Sequence, residues 1–223
     1  MDSILTNITI SVNEKLYVKN PETSDLGKKI IENSILLIDE NGFEHFTFKK
    51  LGEKIGSNES SIYRYFESKQ KLLLYLTSWY WGWIEYKLVF ATNNIENPLE
   101  KLKKAIIVVT EKIEDDSTTL HVNESILNKI IIAEYIKTLL TKDIDDENKD
   151  GSFLTYKRVI NRIIEMIEKV NSNYEFPKSL ASSIVDGAMH QHFLKEHLKT
   201  ITNCNDDITP THFYINLVEN TLR

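Results

Sequence analysis

The side chains best suited to chemistry lie close together between residues 47 and 71. They are hydroxyls, phenols and cations: Thr47, Lys49, Lys50, Ser60, Ser61, Tyr63, Arg64, Tyr65, Lys69 and Lys71. Such groups hydrogen-bond to phosphates and neutralise their charge, so the segment favours binding to a nucleic-acid backbone. The sequence shows no Gly-x-Ser-x-Gly elbow, no glycine-rich phosphate loop and no carboxylate pair at catalytic spacing. We therefore predict no catalytic residues and no enzymatic activity.

Two short helices are predicted to position these groups. The first begins at Thr47 and places apolar residues three and four positions apart, at Phe48, Leu51 and Ile55. Gly52 permits the close approach of a neighbouring helix, and Gly56 provides the backbone freedom that a tight turn needs. Asn58 is a suitable N-cap for the second helix. The inner face of that helix carries Ile62 and Phe66.

A longer helix is predicted before this pair, from about residue 24 to residue 40. Ser24 is a plausible N-cap and Gly42 ends the helix. Its apolar face is wide enough to hold both short helices. The three helices together have the pattern of a helix-turn-helix, in which one helix enters the major groove of DNA.

The same residues resemble the N-terminal DNA-binding segment of the tetracycline-repressor (TetR) family. The shared pattern is a threonine that opens a helix, a glycine turn, a hydroxyl-rich helix that ends in an aliphatic-Tyr-x-Tyr-Phe run, and a Ser-Lys start to the next helix. The matching residues are Thr47, Leu51, Gly52, Gly56, Ser60, Ser61, Ile62, Tyr63, Arg64, Tyr65, Phe66, Ser68 and Lys69. Two positions depart from the family: Ser57 replaces the usual apolar turn residue, and Glu59 stands where a basic or neutral residue is more common.

The resemblance implies that Thr47 and Lys69 contact the DNA backbone, and that Tyr63 and Tyr65 hydrogen-bond to phosphates or touch bases. One of these two tyrosine rings could instead be half-buried core. Of the two, Tyr65 is the one that we expect to point outward.

The remaining candidates lie in the first turn of the second short helix, which is the predicted recognition helix. Its free amides can meet a phosphate, because a helix N-terminus carries partial positive charge. Glu59 either accepts a hydrogen bond from a cytosine amino group or only stabilises the helix dipole. The predicted DNA-binding residues are Thr47, Lys49, Asn58, Glu59, Ser60, Ser61, Tyr63, Arg64, Tyr65 and Lys69.

The charge distribution is compatible with DNA binding despite a net charge of −6. Residues 25–71 contain eight basic and eight acidic residues, so this segment is neutral and the rest of the chain carries the negative charge. A modest basic patch on an acidic body orients a protein on DNA without tight non-specific binding.

Composition predicts an all-α protein of the cytoplasm. The 223 residues include only 7 Gly and 4 Pro, too few for the turns of an all-β fold, and Ile, Leu, Lys and Glu dominate. The single cysteine excludes an internal disulfide. We see neither a signal peptide nor an apolar run of the ~18 residues that span a membrane.

Further helices are predicted along the rest of the chain. Their approximate ranges are 68–92, 97–115, 123–141, 152–170, 177–199 and 209–223. Residues 8–18 alternate apolar and polar side chains, which predicts a short β-hairpin or extended arm. This arm either packs on its own domain or contacts DNA or a partner subunit.

The helix over 68–92 carries an aromatic stripe at helical spacing: Trp79, Trp83, Tyr86 and Phe90. The stripe is either core or part of a ligand cavity. The family resemblance implies the cavity, and these four residues are our candidates for binding a small apolar or aromatic effector.

Three other features are interpreted without a site. Asp146, Asn148 and Asp150 match the first half of a calcium loop, but Lys157 occupies the position of the essential glutamate, so we interpret a solvated acidic loop. The histidines at 190, 192 and 197 do not have the spacing that places metal ligands on one helix face. Cys204 is expected to lie exposed in a loop. We expect no metal and no cofactor.

These observations predict two domains behind an arm at 1–23: a DNA-binding domain at 24–70 and a ligand-binding and dimerisation domain at 71–223. The resemblance implies that the last two helices pair with those of a second copy in a four-helix bundle, with Ile184, Ala188 and Gln191 as candidate interface residues. The predicted function is a homodimeric regulator of transcription, a repressor that a small effector releases from a palindromic operator. The alternative is a DNA-binding regulator whose C-terminal domain binds proteins and no small molecule.

Overall fold

The computed structural model describes residues 10–113, 121–139 and 142–223, without the side chains of 135–139. All regular secondary structure in these ranges is helical, which confirms the all-α prediction. The α-helices are α1 (Asp25–Asn41), α2 (Phe48–Ile55), α3 (Glu59–Tyr63), α4 (Lys69–Thr92), α5 (Pro98–Thr110), α6 (Glu124–Leu139), α7 (Ile144–Lys149), α8 (Leu154–Val170), α9 (Pro177–His197) and α10 (Pro210–Thr221).

The chain divides into two compact units. The first lies within Met1–Gly82 and Ile113–Leu154, and the second within Trp83–Lys112 and Thr155–Arg223. Helix α4 supplies residues to both units. The predicted boundary after residue 70 stays a prediction.

Helix α1 is the centre of the first unit. Ser24 caps it by accepting a hydrogen bond from the amide of Gly27, and Gly42 ends it with φ of 76°. The helix packs against α2 and α6, and its inward side chains, such as Ile30, Ile31 and Ile35, are almost entirely buried. Burying an aliphatic side chain of this size contributes about 1.5–3 kcal/mol, so α1 provides the platform on which α2 is fixed.

The predicted β-hairpin at 8–18 is wrong for the described residues. Residues 10–24 instead contain two 3-10 turns, Glu14–Leu16 and Pro21–Thr23. The side chain of Asn13 accepts a hydrogen bond from the amide of Lys15, which favours the turn over an extended strand. Leu16 is fully buried and Val12 is 7% exposed. The segment packs on its own domain, one of the two interpretations that the alternation allowed.

The second unit is built around α5, α9 and α10, which pack against one another. Glu85 on α4 accepts hydrogen bonds from Arg158 and Arg162 of α8, at 2.7 and 3.0 Å. Tyr156 on α8 donates a hydrogen bond of 2.6 Å to Asp186 on α9. These polar contacts tie the helices of this unit together around an aliphatic interior.

The candidate interface residues on α9 make contacts within their own chain. Ile184 and Ala188 are at most 1% exposed within a single chain, and Gln191 accepts a hydrogen bond from Thr202. Gly187 lies so close to the Tyr214 hydroxyl that an added Cβ would overlap it. Gly187 therefore lets α10 of the same chain approach, and the prediction that Ile184 and Ala188 lie at the subunit interface is wrong.

The structure differs from the prediction in the acidic segment, in the end of α5 and in the exposure of Cys204. The acidic segment is not all loop, because Ile144–Lys149 forms α7. Helix α5 ends at Thr110, where the chain becomes extended at Glu111; the predicted end at 114–116 lies outside the described residues. Cys204 is 7% exposed and not a surface thiol.

No helix in the described part of the chain has the length and hydrophobicity needed to cross a membrane.

Candidate DNA-binding interface

Helix α2 begins and ends at the predicted residues. Thr47 caps it, with its hydroxyl accepting a hydrogen bond from the amide of Lys50 at 3.2 Å. Gly56 ends the helix in the left-handed conformation, with φ of 66° and ψ of 35°. A Cβ at Gly52 would lie 2.8 Å from the carbonyl oxygen of Ser57. Both glycines are thus needed for the tight turn that leads into α3.

Helix α3 has five residues and starts at the predicted cap. The Asn58 side chain accepts hydrogen bonds from the amide and the hydroxyl of Ser61, at 2.8 and 2.7 Å. Ile62 and Phe66 are fully buried, as predicted for the inner face. Because a helix this short is marginal alone, its orientation depends on these anchors and on the packing of the residues after Tyr63.

Most of the predicted DNA-contacting residues are exposed to solvent on this pair of helices. Ser61 is partly exposed, since its hydroxyl is bonded to the cap. The exposed residues are Thr47, Lys49, Asn58, Glu59, Ser60, Tyr63 and Arg64. The surface is therefore available to a duplex, and the individual contacts stay predictions.

The two tyrosines have the opposite orientation from the one predicted. Tyr63 is 49% exposed and its ring stands edge-on to Phe48, with the centroids 5.0 Å apart. Tyr65 is 4% exposed. Its hydroxyl lies 2.8 Å from Ser24 Oγ and 3.4 Å from Lys19 Nζ. The expectation that Tyr65 points outward is wrong, because α3 ends at Tyr63 and the next turn directs Tyr65 inward.

The environment of Tyr65 also alters its acidity. The hydrogen bond with Ser24 lowers the pKa of the Tyr65 phenol; burial opposes this, and the ammonium of Lys19 acts in the same direction as Ser24. Neither Ser24 nor Lys19 could be found as partners from the sequence, since both lie more than forty positions away.

The ammonium of Lys69 is hydrogen-bonded to backbone carbonyls of its own chain. Its ammonium donates to the carbonyls of Phe43, Glu44 and Phe46, at 3.1, 3.2 and 3.4 Å. It also lies 4.8 Å from the centroid of the Phe43 ring. Lys69 thus fastens the first turn of α4 to the loop between α1 and α2. Its predicted contact with a DNA phosphate would have to share the ammonium with these acceptors.

Of the other cations near α2 and α3, some form hydrogen bonds or ion pairs within the chain and others are exposed without an ion pair. Lys50 donates to the carbonyl of His45 at 2.9 Å, and Lys54 pairs with Glu40 at 3.0 Å. Lys49 and Arg64 are exposed, and neither forms an ion pair within the described part of the chain. These two are the cations best placed to neutralise phosphates.

The aromatic stripe on α4 is not uniform. Trp79, in the first unit, and Trp83, in the second, are each 2% exposed. The Trp83 ring lies 4.5 Å from the ammonium of Lys87. Tyr86 is half-buried and stacks on Phe90, which is 73% exposed. Phe90 therefore does not line an enclosed cavity within one chain.

Two further polar groups have partners that could not be identified from the sequence. Tyr80 is buried and accepts a hydrogen bond of 2.8 Å from the Asn128 amide, and burial raises the pKa of its phenol. In the second unit, His192 lies 2.8 Å from the carbonyl of Thr110. Burial lowers the pKa of His192, against the effect of this hydrogen bond.

No group of three or more His, Cys, Asp or Glu side chains that could hold a metal ion occurs in the residues described. Asp150, part of the calcium-like motif, has its carbonyl and carboxylate engaged by Asn13 and Lys15. The motif therefore serves a structural contact.

Comparisons with known proteins identify a matching family model and solved structures of similar fold. Residues 30–76 match the family model described as bacterial regulatory proteins of the tetR family. The search of curated protein sequences gives no match. Solved structures resemble this chain over most of its length at low sequence identity.

Three of these structures illustrate the range. A bacterial regulatory protein of the tetR family from Rhodococcus RHA1 has a TM-score of 0.59 at 14% identity, covering 90% of this chain and 96% of its own. AibR, solved with isovaleryl coenzyme A and operator DNA, has a TM-score of 0.55 at 16% identity, covering 87% and 98%. The superantigen PfiT has a TM-score of 0.60 at 13% identity, covering 91% and 98%. At these identities the likeness concerns the fold alone.

Proposed function

Because this chain is a member of the tetR family of bacterial regulatory proteins, we propose that it is a transcriptional regulator that binds double-stranded DNA as a homodimer in the cytoplasm. It acts by binding and not by catalysis. Its resting activity is repression, and a small effector releases it from a palindromic operator. The observation that carries the proposal is the exposed surface of α2 and α3, with α2 capped at Thr47, the threonine of the family pattern, and α3 capped at Asn58.

Different residues of this surface are assigned to the DNA backbone and to the base edges. Lys49 and Arg64 are the exposed cations that neutralise backbone phosphates, while Thr47 and the Tyr63 hydroxyl hydrogen-bond to them. Asn58, Glu59 and Ser60 lie at the start of α3, where a recognition helix contacts base edges. Because Glu59 is exposed and acidic, it favours a cytosine, whose amino group is a donor in the major groove.

The dimer surface is proposed to involve the end of α9 and the start of α10. Large apolar side chains are exposed there within one chain: Phe193, Ile201, Ile208 and Phe213. Scattered exposed apolar residues need no explanation, but a group confined to one end of two packed helices is typical of an interface. Two recognition helices held ~34 Å apart then reach successive major grooves.

The effector is proposed to bind beside α4. AibR was solved with both isovaleryl coenzyme A and operator DNA, so a protein of this fold can hold both ligands. In the second unit, buried Trp83 and half-buried Tyr86 favour an apolar or aromatic effector. Such a ligand can move α4 and α3 only if it binds one arrangement of the dimer better than the other.

A second function has one observation in its favour. Trp79 and Trp83 are as buried as core residues, while Phe90 is 73% exposed. A filled core with an exposed phenylalanine suits a protein-interaction module. Tryptophan fluorescence distinguishes the two functions, since all three tryptophans lie in α4. An effector must both change this fluorescence and release the duplex; acyl thioesters and aromatic acids that do neither would favour the protein partner.

The decisive experiment is selection of duplexes from a random pool by the full-length protein. We expect a palindrome whose half-sites are centred about 10 base pairs, or one helical turn, apart. Arg64→Ala should weaken binding to the selected duplex. Lys149→Ala, which removes an exposed cation that pairs with Asp146 on α7, is the control and should have little effect. Failure of the protein to enrich any duplex at low salt would refute the proposed function.

A further inference from the structure

Residues 10–24, here called the N-terminal strap, pack against α1 and against the chain that follows α3. Leu16 is fully buried, and Pro21 is buried beside the start of α1. The contact is close, because a Cβ at Gly27 would overlap the backbone of Pro21. The strap therefore belongs to the folded DNA-binding unit and is not a free arm.

One end of the strap is bonded to the chain just beyond the recognition helix. The amide of Val18 donates to the carbonyl of Tyr65 at 2.8 Å. The Tyr65 hydroxyl lies 2.8 Å from Ser24 Oγ and 3.4 Å from Lys19 Nζ, and that ammonium sits 5.1 Å from the centroid of the Tyr65 ring. Tyr65 is thus held at its backbone, its ring and its hydroxyl by three strap residues.

The strap is also anchored at two other points of the same unit. Glu22 accepts a hydrogen bond from the Tyr75 hydroxyl at 3.2 Å and pairs with His121 at 2.9 Å. At the far end, Lys15 pairs with Asp150 at 2.9 Å. The exposed Lys15 pair contributes little alone, but together these contacts fix the position of the strap, and hence of the groups that hold Tyr65.

We propose that the N-terminal strap positions the recognition helix α3, with the Tyr65 hydroxyl as the joint between them. The inference rests on the DNA-binding function proposed above. Helix α3 has five residues, so its N-cap alone gives it little rigidity. Tyr65 is 4% exposed and its hydroxyl already has two partners, so it acts through the orientation of α3 and not by touching DNA. Tyr65, Ser24 and Lys19 are positioning residues for recognition.

The test compares Tyr65→Phe with Tyr63→Phe in the full-length protein. Each substitution removes one hydroxyl and keeps the ring. The probes are the duplex selected from a random pool and an unrelated duplex of equal length. Tyr65→Phe should weaken binding to the selected duplex by about threefold to tenfold per subunit, the effect of one or two lost hydrogen bonds. Binding to the unrelated duplex should change by less than about twofold, because backbone contacts survive a small misorientation.

Amide hydrogen exchange without DNA provides an independent measurement. Tyr65→Phe should speed exchange at residues 59–66, while α6 keeps its protection; Tyr63→Phe should leave both unchanged. Leu16→Ala, which removes a buried side chain of the strap and leaves residue 65 as tyrosine, should also lower the preference for the selected duplex. In that background Tyr65→Phe should add little, because the joint is already loose. Should Leu16→Ala unfold the chain, the Tyr65→Phe comparison alone decides.

The outcomes separate the two levels of the proposal. If the wild-type chain enriches no duplex, the DNA-binding function fails, whatever the exchange data show. If wild type binds a selected duplex but Tyr65→Phe changes neither exchange nor preference, the positioning role is refuted. Equal loss of affinity for both duplexes with unchanged exchange would show direct backbone contact by Tyr65, and would also refute it.

Discussion

Replacing Lys69 by methionine separates two roles that this residue could have. Methionine keeps the length of the side chain and removes the charge that the carbonyls of Phe43, Glu44 and Phe46 share. A hydrogen bond from a charged donor contributes about 1.5–3 kcal/mol, and an ammonium over an aromatic ring about 0.5–1 kcal/mol at an exposed site. Lys69 is partly exposed, so we take the lower part of the combined range. The expected loss of unfolding free energy is about 2–3 kcal/mol.

That loss can be measured apart from any effect on DNA. For a chain of this size it corresponds to a fall in Tm of about 4–12 °C in a thermal unfolding experiment. A lysine that neutralises one phosphate would instead lower the slope of log K against log salt by about 0.9 per contact. We expect Lys69→Met to lower Tm and leave this slope unchanged. Lys49→Ala should leave Tm unchanged and reduce the slope.

The opposite result would refute the reasoning from internal geometry. If Lys69→Met leaves Tm within about 1 °C of wild type and reduces the salt slope as much as Lys49→Ala, the carbonyl contacts contribute little. Lys69 would then be the phosphate contact that the family resemblance implies.

Four other substitutions test further contacts of the chain. Tyr63→Phe should weaken operator binding in a gel-shift assay without lowering Tm, because the ring keeps its aromatic contact. Gly52→Ala should destabilise the protein by about 1–3 kcal/mol in urea unfolding, since the added methyl meets the backbone of the turn. His192→Gln should flatten the pH dependence of the unfolding free energy. Burial lowers the pKa of His192, so the unfolded state binds more protons, and the wild-type unfolding free energy falls as pH drops below the ordinary histidine pKa of about 6.5. Glutamine can still donate a hydrogen bond to the Thr110 carbonyl but does not titrate. Phe213→Asp should shift the protein toward monomer in analytical ultracentrifugation while the helical circular dichroism is kept.

Local signals explain the parts of the fold that the sequence could predict. Ser24 and Asn58 are the predicted N-caps and Thr47 is the predicted start of its helix, and each accepts a hydrogen bond from an amide three residues later. Gly56 adopts the positive φ that the turn needs. These features depend on a few neighbouring residues, so the pattern alone is sufficient.

The errors arose where distant parts of the chain decide the outcome. Helical periodicity gives no orientation for Tyr65, because α3 ends two residues earlier and the partner at Ser24 is not local. On α9, periodicity identifies an apolar face but cannot tell whether it packs within the chain or between subunits. Ile184 and Ala188 are buried within it, on a helix that packs against both α5 and α10 of the same chain.

Gly27 offers a way to trace the strap in other genomes. A chain without this extension leaves space beside the first turn of α1, and many side chains would be accepted there. A chain with it must keep a residue lacking Cβ, because the backbone of Pro21 fills that space. A glycine three residues after the serine cap, preceded by a proline six positions earlier, is therefore a signature by which a homologue with the same extension could be recognised before its structure is known.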